Sequence, residues 1–144
     1  MLVLTSDQVR QIEREGSSAY PNECCGAMIG RDERSGDSVR RIVERLEPLS
    51  NSFDSGEQYH RFSLNPLDLA KVEKKAGEEG KAVLGFYHSH PDHPARPSEY
   101  DRQHAWPFYS YVIVAIAKAQ PVDLTSWQLD EQTETFNREE IETT

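Results

Sequence analysis

Residues 109–118 form an apolar run of strand length in which almost every side chain is hydrophobic, Tyr-Ser-Tyr-Val-Ile-Val-Ala-Ile-Ala-Lys. A strand with apolar residues on both faces must be covered on both sides, which is typical of the inner strands of a layered α/β domain. A second apolar run, at residues 82–87, leads directly into His88. The two runs therefore predict the centre of a sheet with other elements packed against both of its faces.

The segments around these runs alternate between helix and strand signals. Thr5 to Gln8 has the form of a capping box and predicts a helix that weakens near residues 16–20. Asn65-Pro66 predicts the start of a second helix, which Gly80 ends. Strands are also predicted at residues 23–29, 39–49, 58–64 and 122–129, with a turn at 32–37 and a polar loop at 51–56.

The length of the chain limits the number of domains. Its 144 residues fit one domain, residues 1–144, and leave no room for two. From about residue 130 the sequence is polar and acidic, which is compatible with a short edge strand or with a frayed tail.

The charge balance excludes several classes of partner. The chain has 16 Lys and Arg against 25 Asp and Glu, so its formal net charge at pH 7 is −9. Neither nucleic-acid binding nor docking on an anionic membrane is expected, because both need a basic surface.

No apolar run approaches the roughly 18 residues of a membrane span, and the first residues do not form a signal peptide. Two adjacent cysteines, Cys24 and Cys25, are unsuited to a disulfide with each other, which favours the reducing cytoplasm.

The run from residue 88 to 101 carries most of the chemistry, His-Ser-His-Pro-Asp-His-Pro-Ala-Arg-Pro-Ser-Glu-Tyr-Asp. His88 and His90 are two residues apart at the end of a strand, so both imidazoles point to one face, about 6.6 Å apart along the chain. Two imidazoles placed in this way can converge on one zinc ion. A pair of histidines alone is a weak signal, because two histidines at a strand end can also be surface residues that bind no metal. Three prolines in the following loop stiffen it, which favours a held site.

Ser98 and Asp101 have the Ser-x-x-Asp spacing of a helix start, with Ser98 as the N-cap. Asp101 is then either a capping residue only or a zinc ligand as well. Two histidines and one carboxylate leave the fourth position for water, which is the arrangement of a catalytic zinc. Glu23, at the mouth of an apolar strand, is the candidate base for that water, and its alternative role is an exposed loop carboxylate.

Taken together, these residues resemble the motif of the JAMM (MPN-plus) metalloproteases. The matching positions are an upstream glutamate in Asn22-Glu23-Cys-Cys-Gly26, then His88-x-His90-Pro91, and after seven residues Ser98-x-x-Asp101. The resemblance extends from the first helix to the strand at 109–118 and is to the stand-alone prokaryotic members. It implies an α/β fold that is cytidine-deaminase-like, with a curved mixed β-sheet and helices packed on its faces.

The same resemblance implies a role for each site residue. His88, His90 and Asp101 would bind one zinc ion per chain, Glu23 would move a proton from water to the leaving amine, and Ser98 would stabilise the oxyanion. The expected protein is a zinc metallopeptidase or isopeptidase. Its substrate would be the bond after the C-terminal Gly-Gly of a small ubiquitin-like or sulfur-carrier protein.

Two alternatives stay open within this resemblance. The same site would also serve to release an amino acid such as cysteine from a sulfur-carrier adduct. The second alternative is a non-catalytic MPN scaffold that binds a protein partner, although such scaffolds typically lack the zinc-ligand residues that this sequence has. Zinc deaminase chemistry requires H-x-E and P-C-x-x-C, and neither occurs in the sequence.

The remaining histidines, His60, His93 and His104, are expected to be loop, surface or packing residues. Residues 106–109 are expected to pack in the core, with a substrate-stacking role for Trp106 as the alternative. The sequence predicts no oligomeric state.

Overall fold

The computed structural model describes residues 1–50 and 66–144, and within them the chain forms one eight-stranded sheet and three helices. The predicted loop at 51–56, the predicted strand at 58–64 and the Asn65 cap lie outside these residues. The strands are β1 (Leu2–Leu4), β2 (Cys25–Ser35), β3 (Ser38–Leu49), β4 (Ala82–Pro91), β5 (Ser110–Ala117), β6 (Gln120–Leu129), β7 (Phe136–Glu139) and β8 (Ile141–Thr143). The helices are α1 (Ser6–Ala19), α2 (Pro66–Glu78) and α3 (Glu99–His104).

The sheet is mixed and nearly closes on itself. Its strand order is β7-β6-β5-β4-β2-β3-β1-β8, with β4 parallel to β5 and β1 parallel to both β3 and β8. Strands β7 and β8 lie at opposite ends of this order, yet Glu140 alone separates them in the chain. Since one residue spans about 3.8 Å, the two edges must meet. The predicted curved mixed sheet is confirmed.

Helices cover both faces of the central strands. On one face Ile12 of α1 lies in a cluster with Leu2 of β1 and Val114 of β5. Three strands lie between β1 and β5 in the sheet, so the sheet must curve around α1 for both to reach this helix. On the other face Val72 of α2 packs in a cluster with Phe86 of β4. The strands at the centre are therefore buried on both sides, as their continuous apolar sequence predicts.

The predicted capping box of α1 is confirmed. The Gln8 N–H donates to Thr5 Oγ1 at 3.1 Å, and the Thr5 N–H donates to Gln8 Oε1 at 2.9 Å. Each bond satisfies a backbone N–H group at the start of the helix that has no partner within the helix, so α1 begins at a defined residue.

The predicted turn at residues 32–37 is wrong. Strand β2 continues through Ser35, and only Gly36 and Asp37 form the turn to β3. The residues from 31 to 35 are all exposed, so they lack the apolar alternation by which a strand is found in a sequence. Backbone pairing with β3 and charged contacts across the two strands, such as that of Glu33 with Arg40 at 3.2 Å, hold them instead.

The ends of the chain also form strands. The acidic segment from about residue 130 contains β7, which pairs with β6, and β8, which pairs with β1. Strand β1 has only three residues and was not predicted, because its pairing depends on strands far away in the sequence. None of the described helices has the length and apolar character needed to cross a membrane.

Candidate metal centre

Strand β4 brings two imidazoles to one point. His88 is 1% exposed and lies in register with Cys25 of β2 and Ile113 of β5, while His90 is 7% exposed. Because the residues are two apart on a strand, both rings are on the same face, and their Nε2 atoms are 3.1 Å from each other. The predicted convergence of the two histidines is therefore present in the fold.

Asp101 joins them from the first turn of α3. Its Oδ1 is 3.3 Å from His88 Nε2, and its Oδ2 is 3.1 Å from His90 Nε2. The same carboxylate also caps the helix, since the Ser98 N–H donates to Oδ2 at 2.9 Å and the Asp101 N–H donates to Ser98 Oγ at 3.0 Å. The capping role of Asp101 is therefore confirmed, and the same carboxylate also contacts both imidazoles.

The electrostatics of this cluster favour the deprotonated forms of Asp101 and His88. Burial alone raises the pKa of Asp101, but the charges and hydrogen bonds of His88 and His90 outweigh it and hold that pKa well below its usual range. Burial lowers the pKa of His88, which favours the neutral imidazole. Burial also lowers the pKa of His90, but the hydrogen bond and the charge of Asp101 outweigh it and raise that pKa, so a metal that binds His90 displaces a proton.

The three side chains fit a zinc ion. Ligand atoms about 2.0–2.1 Å from a tetrahedral zinc are about 3.3–3.4 Å from one another. The two Nε2 atoms here are 3.1 Å apart, and each lies 3.1–3.3 Å from one of the two oxygens of Asp101. His90 Nδ1 lies 2.9 Å from the Pro94 carbonyl oxygen, which only accepts, so Nδ1 carries the proton. A neutral His90 therefore presents the lone pair of Nε2 to the cluster, as a metal ligand must.

Glu23 lies beside this cluster, immediately before β2. It is 5% exposed, which rules out the alternative of an exposed loop carboxylate. One of its carboxylate oxygens and the ligand nitrogens of His88 and His90 all lie within 4.8 Å of one another. Burial raises the pKa of Glu23 to about 8, against a weaker lowering by His90. A carboxyl group with a pKa near neutrality is suited to taking and returning a proton.

Ser89, which lies between the two histidines, fastens the Glu23 segment to β4. The Cys24 N–H donates to Ser89 Oγ at 2.8 Å, and the Ser89 N–H donates to the Cys24 carbonyl oxygen at 3.1 Å. Ser89 is fully buried. Sequence reasoning missed this residue, and its position between two candidate ligands is the only signal that points to it.

The adjacent cysteines are not nucleophiles. Both are free thiols, with Cys25 buried and Cys24 partly buried. Burial raises the pKa of Cys24 to about 11 and that of Cys25 to about 12, so both stay protonated at neutral pH. This agrees with their expected role as small buried side chains.

A cavity of about 420 Å³ opens onto the cluster, and Glu23, His90 and Ser98 line it. Ser98 is exposed, and its Oγ accepts the Asp101 N–H. A hydroxyl group has one donor as well as its acceptor lone pairs, so the Ser98 O–H is still available to a group in this cavity. The arrangement therefore provides a ligand set, a proton acceptor and a neutral donor around one opening.

A second cavity, of about 360 Å³, lies on the other side of α3 and shares His88 and Asp101 with the cluster. Its walls are largely aromatic and include Trp106. The expectation that residues 106–109 pack in the core is wrong for Trp106 and Phe108, which are 47% and 70% exposed. They follow the end of α3 in a stretch without helix or strand, so an apolar side chain there has no element to cover it.

The other histidines lie outside the cluster. His93 is exposed at the mouth of the 420 Å³ cavity, and His104 is an exposed residue of α3 that stacks on Tyr100 with ring centroids 4.1 Å apart. His60 is outside the described residues.

Comparison with known proteins places this geometry in context. The model of the family described as prokaryotic homologs of the JAB domain matches residues 5–130, which include every residue of the cluster. A desampylase from Haloferax volcanii is 34% identical over 109 residues, or 74% of this chain and 73% of the relative.

Two further proteins are similar. A probable TtuB-protein conjugate cleaving protease from Thermus thermophilus is 42% identical over 74 residues, which are 51% of this chain and 49% of the relative. The solution structure of a protein from Desulfitobacterium hafniense superimposes with a TM-score of 0.81 at 35% identity, covering 100% of this chain and 93% of that one.

Proposed function

The chain belongs to the family of prokaryotic homologs of the JAB domain, and on that premise we propose that it is a zinc-dependent hydrolase of ubiquitin-like or sulfur-carrier conjugates. The bond cleaved is the peptide or isopeptide bond after the C-terminal Gly-Gly of the carrier. The observation that carries this proposal is the meeting of Asp101 with His88 and His90 at 3.1–3.3 Å, with the buried carboxyl of Glu23 beside them. The substrate class is supported by the two relatives described as a desampylase and as a conjugate cleaving protease.

The metal in this proposal is held by His88, His90 and Asp101, one zinc ion per chain. When bound, zinc supplies Lewis-acid polarisation of the scissile carbonyl and makes water a nucleophile near neutral pH. The capping bonds between Ser98 and Asp101 orient the carboxylate ligand, and the Pro94 carbonyl oxygen orients the His90 ring.

Two further side chains handle the proton and the developing charge. A carboxylate oxygen of Glu23 accepts a proton as the water oxygen bonds to the carbonyl carbon. Glu23 then gives that proton to the leaving nitrogen as the C–N bond breaks, which leaves a carboxylic acid and a free amine. The acid then loses its remaining proton to the amine or to solvent, so the final products at neutral pH are a carboxylate and an ammonium group. The Ser98 hydroxyl donates to the carbonyl oxygen while it carries negative charge, which lowers the barrier to both steps.

The site of action that we propose is the cytoplasm, where the thiols of Cys24 and Cys25 stay reduced. The two free cysteines are compatible with this compartment. Release of cysteine from a sulfur-carrier adduct uses the same residues, so it is included in the test below. A non-catalytic scaffold has no need for a buried Glu23 beside a complete ligand set, and this disfavours it.

Intact-mass analysis of the zinc-loaded protein tests the proposal. The substrates are ubiquitin-like proteins whose C-terminal Gly-Gly carries either a lysine in isopeptide linkage or a cysteine, and Glu23→Gln is the matched control. We expect cleavage after Gly-Gly by the wild-type protein only, and the preferred adduct distinguishes modifier removal from amino-acid release. Cleavage by Glu23→Gln at the wild-type rate contradicts the assigned proton transfer, and no cleavage of either adduct by zinc-loaded protein contradicts the proposed substrate class.

A further inference from the structure

We propose that a groove on the outer side of the proline loop docks a carboxylate-rich face of the ubiquitin-like substrate, an inference that rests on the proposed function. The groove, here called the outer groove, is a cavity of about 720 Å³. Its wall is the loop at residues 92–96, its floor is formed by β5 and β6, and Arg138 of β7 stands at its edge.

The outer groove adjoins the metal centre. His93, Pro94 and Arg96 line both the outer groove and the cavity that contains Glu23 and His90. A protein that occupies the outer groove therefore lies directly against the opening of the site. The body of a substrate can rest there while its C-terminal segment enters the site.

The wall of the outer groove is fastened to its floor. The Thr125 hydroxyl of β6 donates to the Ala95 carbonyl oxygen at 2.6 Å, and Trp127 Nε1 donates to Thr125 Oγ1 at 2.8 Å. Ala95 is 3% exposed and packs with Ile113 of β5. The groove is thus formed by the fold itself, so its occupant needs to order little of the chain on binding.

Three cationic residues line the outer groove: Arg96, Arg138 and Lys118. Among the described residues most arginines have a carboxylate within 4.0 Å, but Arg96 and Arg138 have none. Arg138 lies directly across from Trp127 in the β6–β7 ladder, so it shares the face of the sheet that forms the floor. Arg14 and Arg34 also lack such a partner, but neither lines this groove.

The carboxylates that line the outer groove are engaged elsewhere or lie at its other end. Asp92 accepts the Tyr20 hydroxyl at 2.6 Å and the Lys118 N–H at 3.0 Å, and the bond from Tyr20 helps to lower its pKa. Asp123 lies four residues before Trp127 on β6, or about 13 Å along the strand. Neither carboxylate forms an ion pair with Arg96 or Arg138, so both guanidinium groups keep their charge in the outer groove.

A carboxylate-bearing protein is the occupant that this chemistry favours. Arginine binds carboxylates through two parallel hydrogen bonds, and this geometry makes it selective for them. The whole chain carries a net charge of −9, so an acidic partner is repelled by most of its surface. Two unpaired arginines beside the site provide the local attraction that sets the orientation and rate of encounter with such a partner.

A pair of double variants tests the proposal. Arg96→Glu with Arg138→Glu reverses the charge of the outer groove, and Arg14→Glu with Arg34→Glu makes the same change in net charge at exposed arginines outside it. The probes are an acidic ubiquitin-like protein with a fluorescent lysine in isopeptide linkage to its C-terminal Gly-Gly, and a hexapeptide that ends in the same linkage. We expect the groove variant to raise KM for the protein probe about ten times more than KM for the hexapeptide, because only the protein probe has a folded body to dock.

The control variant is expected to change KM for the protein probe less than about twofold, since its charges lie far from the contact. Equal losses in the two double variants show a bulk charge effect and overturn the proposal. An unchanged KM in the groove variant also overturns it, as does an equal loss with the hexapeptide, which has no folded body to dock.

A binding measurement separates this proposal from the proposed function. If the wild-type protein cleaves neither probe, the proposed function fails, and fluorescence anisotropy of the labelled ubiquitin-like protein then tests docking alone. Binding that the groove variant weakens and the control variant keeps supports the outer groove, and no binding overturns it. Analytical ultracentrifugation tests whether a second copy of the chain occupies the outer groove instead. A wild-type dimer that becomes a monomer in the groove variant, but not in the control variant, would assign the groove to that second copy and overturn the proposal.

Discussion

Replacement of Ser89 by alanine tests whether the bond between β4 and the Glu23 segment positions the catalytic carboxyl. Ser89 Oγ accepts the Cys24 N–H at 2.8 Å in a fully buried position. Ser89→Ala leaves that buried N–H without its acceptor, which costs about 1–3 kcal/mol of unfolding free energy. The bond from the Ser89 N–H to the Cys24 carbonyl oxygen is made by the backbone and is kept. The protein therefore still folds, but Glu23 gains freedom relative to the imidazoles.

We expect kcat on a Gly-Gly conjugate to fall about 10- to 100-fold in Ser89→Ala, because a displacement of about 1 Å in a catalytic group has an effect of this size. The affinity for zinc is expected to stay unchanged, since His88, His90 and Asp101 do not contact the lost hydroxyl. Ser89→Thr keeps a hydroxyl and is expected to recover most of the activity. Steady-state kinetics measure kcat, and competition with a chelator measures zinc affinity separately.

Ser126→Ala is the matched control for stability. Ser126 is also fully buried, and its Oγ donates to Glu139 Oε1 at 2.9 Å between β6 and β7 rather than at the site. We expect it to lower the melting temperature by a similar amount with an unchanged kcat. A wild-type kcat in Ser89→Ala, or a loss of kcat in both variants that follows their melting temperatures, would refute the positioning role of Ser89.

Three further outcomes are expected. Glu23→Gln should keep one zinc per chain, measured by elemental analysis. Its kcat should fall about 10²- to 10⁴-fold, which is the usual contribution of a general acid–base group. If the variant loses zinc, Glu23 is also needed to hold the metal, which contradicts the assigned role. Asp101→Asn should keep α3, because an amide oxygen still accepts the Ser98 N–H, but should weaken zinc binding at least about a hundredfold in a chelator titration. In the metal-free protein the raised pKa of Glu23 favours the folded state at low pH, and this stability is lost as pH rises from 4.5 to about 8. The melting temperature should therefore fall over that range by on the order of 10 °C more than in Glu23→Gln, and parallel profiles contradict the shift.

Local rules account for the parts of the fold that the sequence predicts. The capping box at Thr5, the apolar runs before His88 and at 109–118, and the helix start at Ser98 each depend on residues that are neighbours in the chain. For the site, the grouping of Glu23 and Ser98 with the other residues rests on the resemblance to the JAMM motif, and local rules account only for the placement of His88, His90 and Asp101. Two histidines on a strand and a carboxylate in the first turn of a helix have directions that spacing alone determines.

The missed features depend on contacts between distant segments. Strand β1 has three residues, and its partners are β3 and, from the other end of the chain, β8. The exposed part of β2 is held by its ladder with β3, and no hydrophobic pattern marks it. Ser89 acts through the backbone of Cys24, 65 residues away, so nothing near it in the sequence shows the bond. Pairing of this kind is set by the whole fold and is invisible to a local pattern.

The metal centre is held together by bonds that do not involve a metal. Asp101 is fixed by the cap of α3, His90 by the Pro94 carbonyl oxygen, and the Glu23 segment by Ser89. The principal core lies instead around α1, where Ile12 and Val114 belong to one buried cluster. A site whose side chains are fixed by the protein loses little entropy when its ion and substrate bind, and its donors need not reorganise during the reaction. The fold therefore preorganises the side chains of the proposed zinc centre through its own hydrogen bonds.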